Sequence, residues 1–429
     1  MEKLTAVFGK IKYLIKDGFL HILFGNTLVK MISFISSIVI VNLVAKTHYA
    51  YLNYADNLYA YIDLFSGLGM SAALLKYCAT IEEKEKDKAY LSFALKNGIV
   101  FQLTLSVILS VAIIFLDIPF PQAKPLIWML ILYPVLNFTV SAVQCYIRAH
   151  RNNRLFSTIA VVQTLVVFLG SVGFVLLLDV KGVVVARYLA VTCAILLGLV
   201  FIKRRLSGVK TVKLERSEKL AFRKMGISLM IASFFSMVMP VNEMFLVNTL
   251  LQNEVATANY KVAINIPSQT AFITSSIVIY FFPIIAKMAT DKLRVWKTSK
   301  RIGYICFGIV ALITVLGILI TPWLFHAFYG GKYDDAIPLA YVVWVVYAFN
   351  SGLRMIPMNI LPAIGKTAFN AGLSVVSCGV QFVLDYVFIK NFGIMGAVYA
   401  TGIVYLLSGI AYWIYLGFVC KGKPRKGIV

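Results

Sequence analysis

Eight ionisable side chains sit inside long apolar stretches of this 429-residue sequence: Lys30, Asp56, Asp63, Arg187, Glu243, Lys261, Arg354 and Asp385. A charge in an apolar segment is costly unless it faces a partner or a wet cavity, so each marks a candidate site. Lys30, Lys261 and Arg354 are fixed cations of the kind that would hold an anionic group away from bulk water. Asp63 and Glu243, with Asp56, are acids that could take a proton or a sodium ion as a coupling site, or could simply neutralise a lysine in the same cavity. Plainer readings stand beside these. Lys30 suits a structural ion pair, Lys261 and Asp56 suit extension to a membrane interface, Arg187 lies a turn inside its segment and should snorkel, and Asp385 reads as structural.

The elements that must position these residues are membrane spans. With 60 % hydrophobic residues, 14 % charged residues and a mean hydropathy of +0.85, the chain is too apolar for a soluble domain. Twelve apolar runs are long enough to cross a hydrocarbon layer of roughly 30 Å as helices. They are 21–44, 51–79, 91–116, 124–147, 155–178, 183–202, 225–250, 255–286, 302–327, 336–362, 368–389 and 394–419. An outer-membrane barrel would show alternating segments of roughly ten residues instead. At a rise of about 1.5 Å per residue, Lys30 lies roughly 13 Å from the end of the first span and Asp63 near mid-membrane. Glu243, Lys261 and Asp56 lie within roughly 10 Å of the opposite ends. Residues Met1 to Gly18 alternate lysines with apolar side chains and suit either a surface-lying amphipathic helix or a basic flank. Pro267, Pro357 and Pro362 should interrupt their helices.

The charge is distributed in a way that sets topology. A net +23 could suggest nucleic acid, but the basic residues lie in short loops, with no separate basic domain or aromatic platform, which excludes a nucleic-acid partner. With the N-terminus in the cytoplasm, 32 of the 41 basic residues fall in inner segments and 5 in outer loops, so both termini are expected to be cytoplasmic. The six cysteines are scattered without CxxC spacing, and the four histidines form no metal pattern. No nucleophile elbow or phosphate loop appears, and the loops are too short for a catalytic domain. The chain therefore reads as no enzyme, with no cofactor beyond H+ or Na+ coupling and no metal.

The chain also repeats itself. A shift of 201 to 213 residues aligns Gly25-Asn-Thr-Leu-Val-Lys with Gly226-Ile-Ser-Leu-Met-Ile, Asn53-Tyr54 with Asn259-Tyr260, Ala123-Lys124-Pro125-Leu126 with Ala336-Ile337-Pro338-Leu339, and Asn137 with Asn350. Each half then holds six spans in the same orientation, a parallel repeat. The expected organisation is an N-terminal lobe at 1–202, a basic cytoplasmic linker at 203–224 and a C-terminal lobe at 225–429.

Three motifs carry a resemblance. Asp63-Leu-Phe-Ser-Gly-Leu-Gly69-Met-Ser-Ala-Ala-Leu-Leu-Lys76 in span 2, Gly365-Lys366 before span 11, and Phe392-Gly393-Ile-Met-Gly396-Ala397 opening span 12 resemble those of the polysaccharide transporter family of Wzx-type oligosaccharide flippases. The first half holds a degenerate copy of the last, Lys181-Gly182-Val-Val-Val-Ala186, read as lacking the second glycine. This resemblance implies the multidrug/oligosaccharidyl-lipid/polysaccharide exporter superfamily, with an all-α membrane fold of two six-helix lobes and a cavity lined by spans 1, 2, 7 and 8. It also implies alternating-access movement of a polyprenyl-diphosphate-linked oligosaccharide from the cytoplasmic to the outer leaflet of the bacterial inner membrane, for O-antigen or capsule assembly. The implied partners are that lipid, the bilayer and other polysaccharide-assembly membrane proteins. Lys30, Lys261 and Arg354 would then meet the diphosphate. Tyr49, Tyr51, Tyr54, Tyr59 and Tyr61 would stack on sugars or anchor an interface. The runner-up is a multidrug or small-cation antiporter of the same superfamily.

Overall fold

The computed structural model describes residues 19–421. The amphipathic segment before Phe19 and the basic tail after Lys421 lie outside the described residues. All described secondary structure is helical. Ten helices are long and apolar enough to cross a membrane, or twelve when each of two bent pairs counts as one span. All twelve coincide with the runs read from hydropathy. The chain divides into two compact units, Met1–Phe234 and Phe235–Val429.

Unit one comprises α1 (Phe19–Leu43), α2 (Lys46–Asp63), α3 (Ser66–Tyr77), α4 (Lys84–Phe115), α5 (Lys124–Met129), α6 (Tyr133–Ala149), α7 (Asn153–Leu178), α8 (Val180–Leu206) and the first turns of α9 (Arg216–Leu251). Helix ends follow local chemistry. Asn152 caps α7 by accepting from the Leu155 amide at 3.2 Å, and Glu85 and Asp87 lie in the first turn of α4. Large aliphatic side chains remain exposed along the spans, Leu177 at 79 %, as a lipid-facing surface requires.

Span 2 is not one helix. Helices α2 and α3 meet at 54° through a left-handed stretch in which Ser66, Gly67, Leu68 and Gly69 all have positive φ, from 40° to 70°. Left-handed backbone costs an L-residue about 1–2 kcal/mol, so Ser66 and Leu68 are strained and the glycines limit the cost. Glycine is also required by space: a Cβ on Gly69 would lie 2.0 Å from the carbonyl oxygen of Gly226 on α9, and one on Gly67 would lie 2.3 Å from the Phe138 ring.

Within the basic stretch 203–224, residues 203–206 end α8 and α9 begins at Arg216. This region is docked on unit one. Phe222 is fully buried among the rings of Tyr77, Tyr90 and Phe93, Arg223 donates to Asn97 Oδ1 at 2.7 Å, and Lys88 donates to the Val209 carbonyl at 2.6 Å.

Unit two holds the rest of α9, α10 (Glu254–Asn265), α11 (Thr270–Lys287), α12 (Lys292–Tyr329), α13 (Ile337–Ala348), a π-helical turn (Phe349–Arg354), α14 (Met355–Ala363), α15 (Thr367–Phe392) and α16 (Ile394–Lys421). Span 8 breaks at Pro267, as the sequence predicts. Pro357 has no N–H to offer the Leu353 carbonyl, and the π turn ends just before it. The indole of Trp413 donates to that carbonyl instead, at 2.9 Å.

The two units match internally. Short 3-10 turns, Pro121–Ala123 and Asp334–Ala336, precede span 4 and span 10. Asp179 (φ 50°, ψ −140°) and Gly393 (φ 60°, ψ −142°) make the same turn before spans 6 and 12. Three residues on, a Cβ at Gly182 or Gly396 would strike the Phe174 or Phe388 carbonyl oxygen, at 2.3 and 2.0 Å. Gly182 thus corresponds to Gly396, and the glycine missing from the first half is the first of the pair, replaced by Asp179. The sequence motif gave the opposite assignment because it aligned Lys181-Gly182 with Phe392-Gly393.

Candidate functional site

The acids of unit one are already engaged. Asp56 on α2 receives both guanidinium nitrogens of Arg187 on α8, at 2.5 and 2.8 Å. This corrects two expectations: Arg187 does not snorkel, and Asp56 is a neutralised partner, because a bidentate fork between two spans offers more than either residue gains alone. Asp63, the last residue of α2, accepts from Asn137 Nδ2 at 3.2 Å beside the left-handed turn. Lys30 is exposed on α1. Tyr54 is buried edge-on against Phe120, and the Tyr59 hydroxyl donates to the Ile127 carbonyl at 2.8 Å.

Unit two gathers a second set of polar residues from four helices. Glu243 lies on α9, one turn beyond Pro240, whose missing N–H loosens the helix there. Its Oε1 accepts from the hydroxyl of Tyr260 on α10 and from Thr401 Oγ1 on α16, the latter at 2.7 Å. Thr401 in turn accepts from Gln381 Nε2 on α15 at 3.0 Å. One turn along α15, Asp385 is fully buried beside the Gln381 amide, and among the described residues neither of its carboxylate oxygens has a partner of good hydrogen-bond geometry. The Gln381 Oε1 is also unsatisfied. A carboxylate buried inside a span is costly unless its neighbours compensate it, which singles out Asp385 among the acids of unit two. Asp385 was expected to be structural; its unmet oxygens beside Gln381 make it part of the candidate site. The signal in the sequence was the spacing of Gln381 and Asp385, four residues apart on one face of an apolar helix.

The network opens on a cavity of about 240 Å³. Glu243, Lys261, Tyr260, Tyr347, Thr401 and Tyr405 contribute to its wall. The structure therefore brings Lys261 and Glu243 to one cavity. Arg354 is not on that wall. It is buried in the π turn, hydrogen-bonded to Asn350 Oδ1 at 3.2 Å, with its guanidinium 5.1 Å from the centroid of the Tyr405 ring. Arg354 thus lies behind the Tyr405 ring, which is part of the cavity wall.

Solved structures with this fold define the class. A multidrug resistance MATE family transporter of the MOP superfamily in its inward-facing conformation matches with a TM-score of 0.72 at 14 % identity, over 93 % of this chain and 96 % of that one. The lipid II flippase MurJ, inward closed, matches with a TM-score of 0.74 at 15 % identity, over 94 % and 88 %. A MOP superfamily transporter from Pyrococcus furiosus, whose binding pocket is described as having reverse polarity, matches with a TM-score of 0.60 at 14 % identity, over 95 % of both chains. Among curated proteins no sequence matches. The fold is the two-lobe, all-α transporter fold of that superfamily, and the protein is a multi-pass membrane protein. The chain belongs to the family described as "Polysaccharide biosynthesis protein", which matches residues 15–289.

Proposed function

We propose that this protein is a cation-coupled flippase for a polyprenyl-diphosphate-linked oligosaccharide, working by alternating access in a bacterial inner membrane with both termini cytoplasmic. The observation that carries this reading is the cavity of unit two. There a lysine and three tyrosines form a wall suited to a phosphorylated sugar, directly beside a buried acid network in need of a cation. Family membership supports polysaccharide assembly as the setting. In this proposal Lys261 holds the anionic head group and Arg354 keeps Tyr405 in position, while Lys30 is a candidate cation of unit one. Glu243 and Asp385 take up the proton or sodium ion whose release drives the cycle. Asp63 serves the broken span, and Asp56 has no role beyond its pair with Arg187.

The test is reconstitution in vesicles with a lipid-linked saccharide and an imposed Na+ or H+ gradient. Movement should follow one gradient in the native protein and lose that dependence in Glu243→Gln and Asp385→Asn. Lys261→Ala should cut the rate about tenfold, as loss of one charge-assisted contact does. Gradient-driven export of organic cations with no movement of the lipid would instead establish the antiporter.

A further inference from the structure

Beyond that function, α12 and α16 build a second binding site at the basic end of unit two. Trp296 and Lys300 occupy one face of α12, and Trp413, Gly417 and Lys421 one face of α16, each a turn apart. The helices exchange a tryptophan for a glycine in both directions. A Cβ on Gly303 would lie 2.6 Å from the Trp413 ring, and one on Gly417 would lie 3.2 Å from the Trp296 ring. The two indoles meet at 6.2 Å and 73°, forming a low ridge. An apolar recess lies on each side. One, of about 480 Å³, runs past Tyr304, Phe307 and Leu353; the other, of about 540 Å³, runs past Ile414 and Phe418.

Two cations flank the ridge, Lys300 lining the first recess and Lys421 the second. The Lys300 ammonium lies 5.7 Å from the Trp296 ring centroid and the Lys421 ammonium lies 4.9 Å from it, so they are no farther apart than these distances combined. Among the described residues no carboxylate pairs with either. Two positive charges beside apolar surface on membrane-spanning helices call for an anion that carries hydrocarbon.

We infer that this ridge binds a diacyl phospholipid with an anionic head group, its phosphate between Lys300 and Lys421 and one acyl chain in each recess. The two recesses select a two-chain lipid over a single-chain isoprenoid, and the absence, among the described residues, of an acid paired with either lysine selects an anionic head group over a zwitterionic one. The Trp296 ring orients both ammonium groups and shields them from the chains.

The full-length protein, purified in detergent, is titrated with phosphatidylglycerol and phosphatidylcholine carrying the same palmitoyl and oleoyl chains, and bound lipid is counted by native mass spectrometry. Each lysine should contribute about a fivefold preference, giving roughly 25-fold for phosphatidylglycerol. Lys300→Gln/Lys421→Gln should bring the ratio to parity. Lys292→Gln/Lys297→Gln, which removes the same charge from the same helix end, should keep the preference. Equal binding of both lipids by the native protein would overturn the inference, as would a preference that survives in the first double variant or is lost equally in the second. Single-chain lysophosphatidylglycerol binding as tightly as the diacyl form would overturn the two-recess arrangement. A polyprenyl phosphate that displaces phosphatidylglycerol in a Lys300- and Lys421-dependent way would reassign the ridge to an isoprenoid.

Discussion

Asp56 and Arg187 lie 131 residues apart, and nothing in the local sequence of either points to the other. Each alone is an ordinary charge near a span end; together they form a fork that fixes α2 against α8. Because Asp56 and Arg187 keep 35 % and 21 % side-chain exposure, the pair's coupling should be about 1 kcal/mol in a double-mutant cycle of thermal unfolding. Arg187→Ala alone should cost more than the double variant with Asp56→Ala, since the single change strands an acid. Trp413→Phe is a cleaner case. It removes the donor of a carbonyl that Pro357 had already deprived of its helical partner, so the melting temperature should fall in line with about 1–3 kcal/mol. The pairing of Glu243 with Thr401, 158 residues away, was equally hidden. Only the Gln381–Asp385 spacing was visible.

At the scale of elements, the left-handed turn of span 2 is the feature with the largest stored cost. Strained backbone persists where the surroundings over-determine it, and here Phe138 and Gly226 press on the two glycines. Gly69→Ala places a Cβ against a backbone carbonyl at a φ of 70°, so it should lose at least about 1–2 kcal/mol of stability and transport with it. Gly372→Ala in α15 meets nothing within 4 Å and should stabilise by up to about 1 kcal/mol in the same thermal assay. The sequence displayed the Gly67 and Gly69 pair but not its purpose. A glycine in an apolar run is as compatible with close helix packing as with a reversed turn, and only the approach of α9 decides between them. Pro267 was more legible, because a missing N–H acts within its own helix, whereas Pro357 and Pro362 lie inside α14 without interrupting it.

For the molecule as a whole, the distribution of charge makes a prediction about orientation. In a cysteine-free background, Ser207→Cys, between α8 and α9, should react with a membrane-impermeant maleimide only after the cytoplasmic face is opened. Asp334→Cys, between α12 and α13, should react in intact cells. Reversal of that pattern would reject cytoplasmic termini. The succession of apolar spans and the two-fold repetition were legible in the sequence alone, since bilayer thickness demands about twenty apolar residues per crossing and hydropathy is a local property of the chain, whereas the helix limits were not: α12 begins at Lys292 and α4 at Lys84. Which charges meet, where the helices break and which acid is left without a partner depended on the tertiary structure. Those outcomes turn on the rotation of each helix about its axis and on contacts between residues more than a hundred positions apart, and neither is encoded in any single stretch.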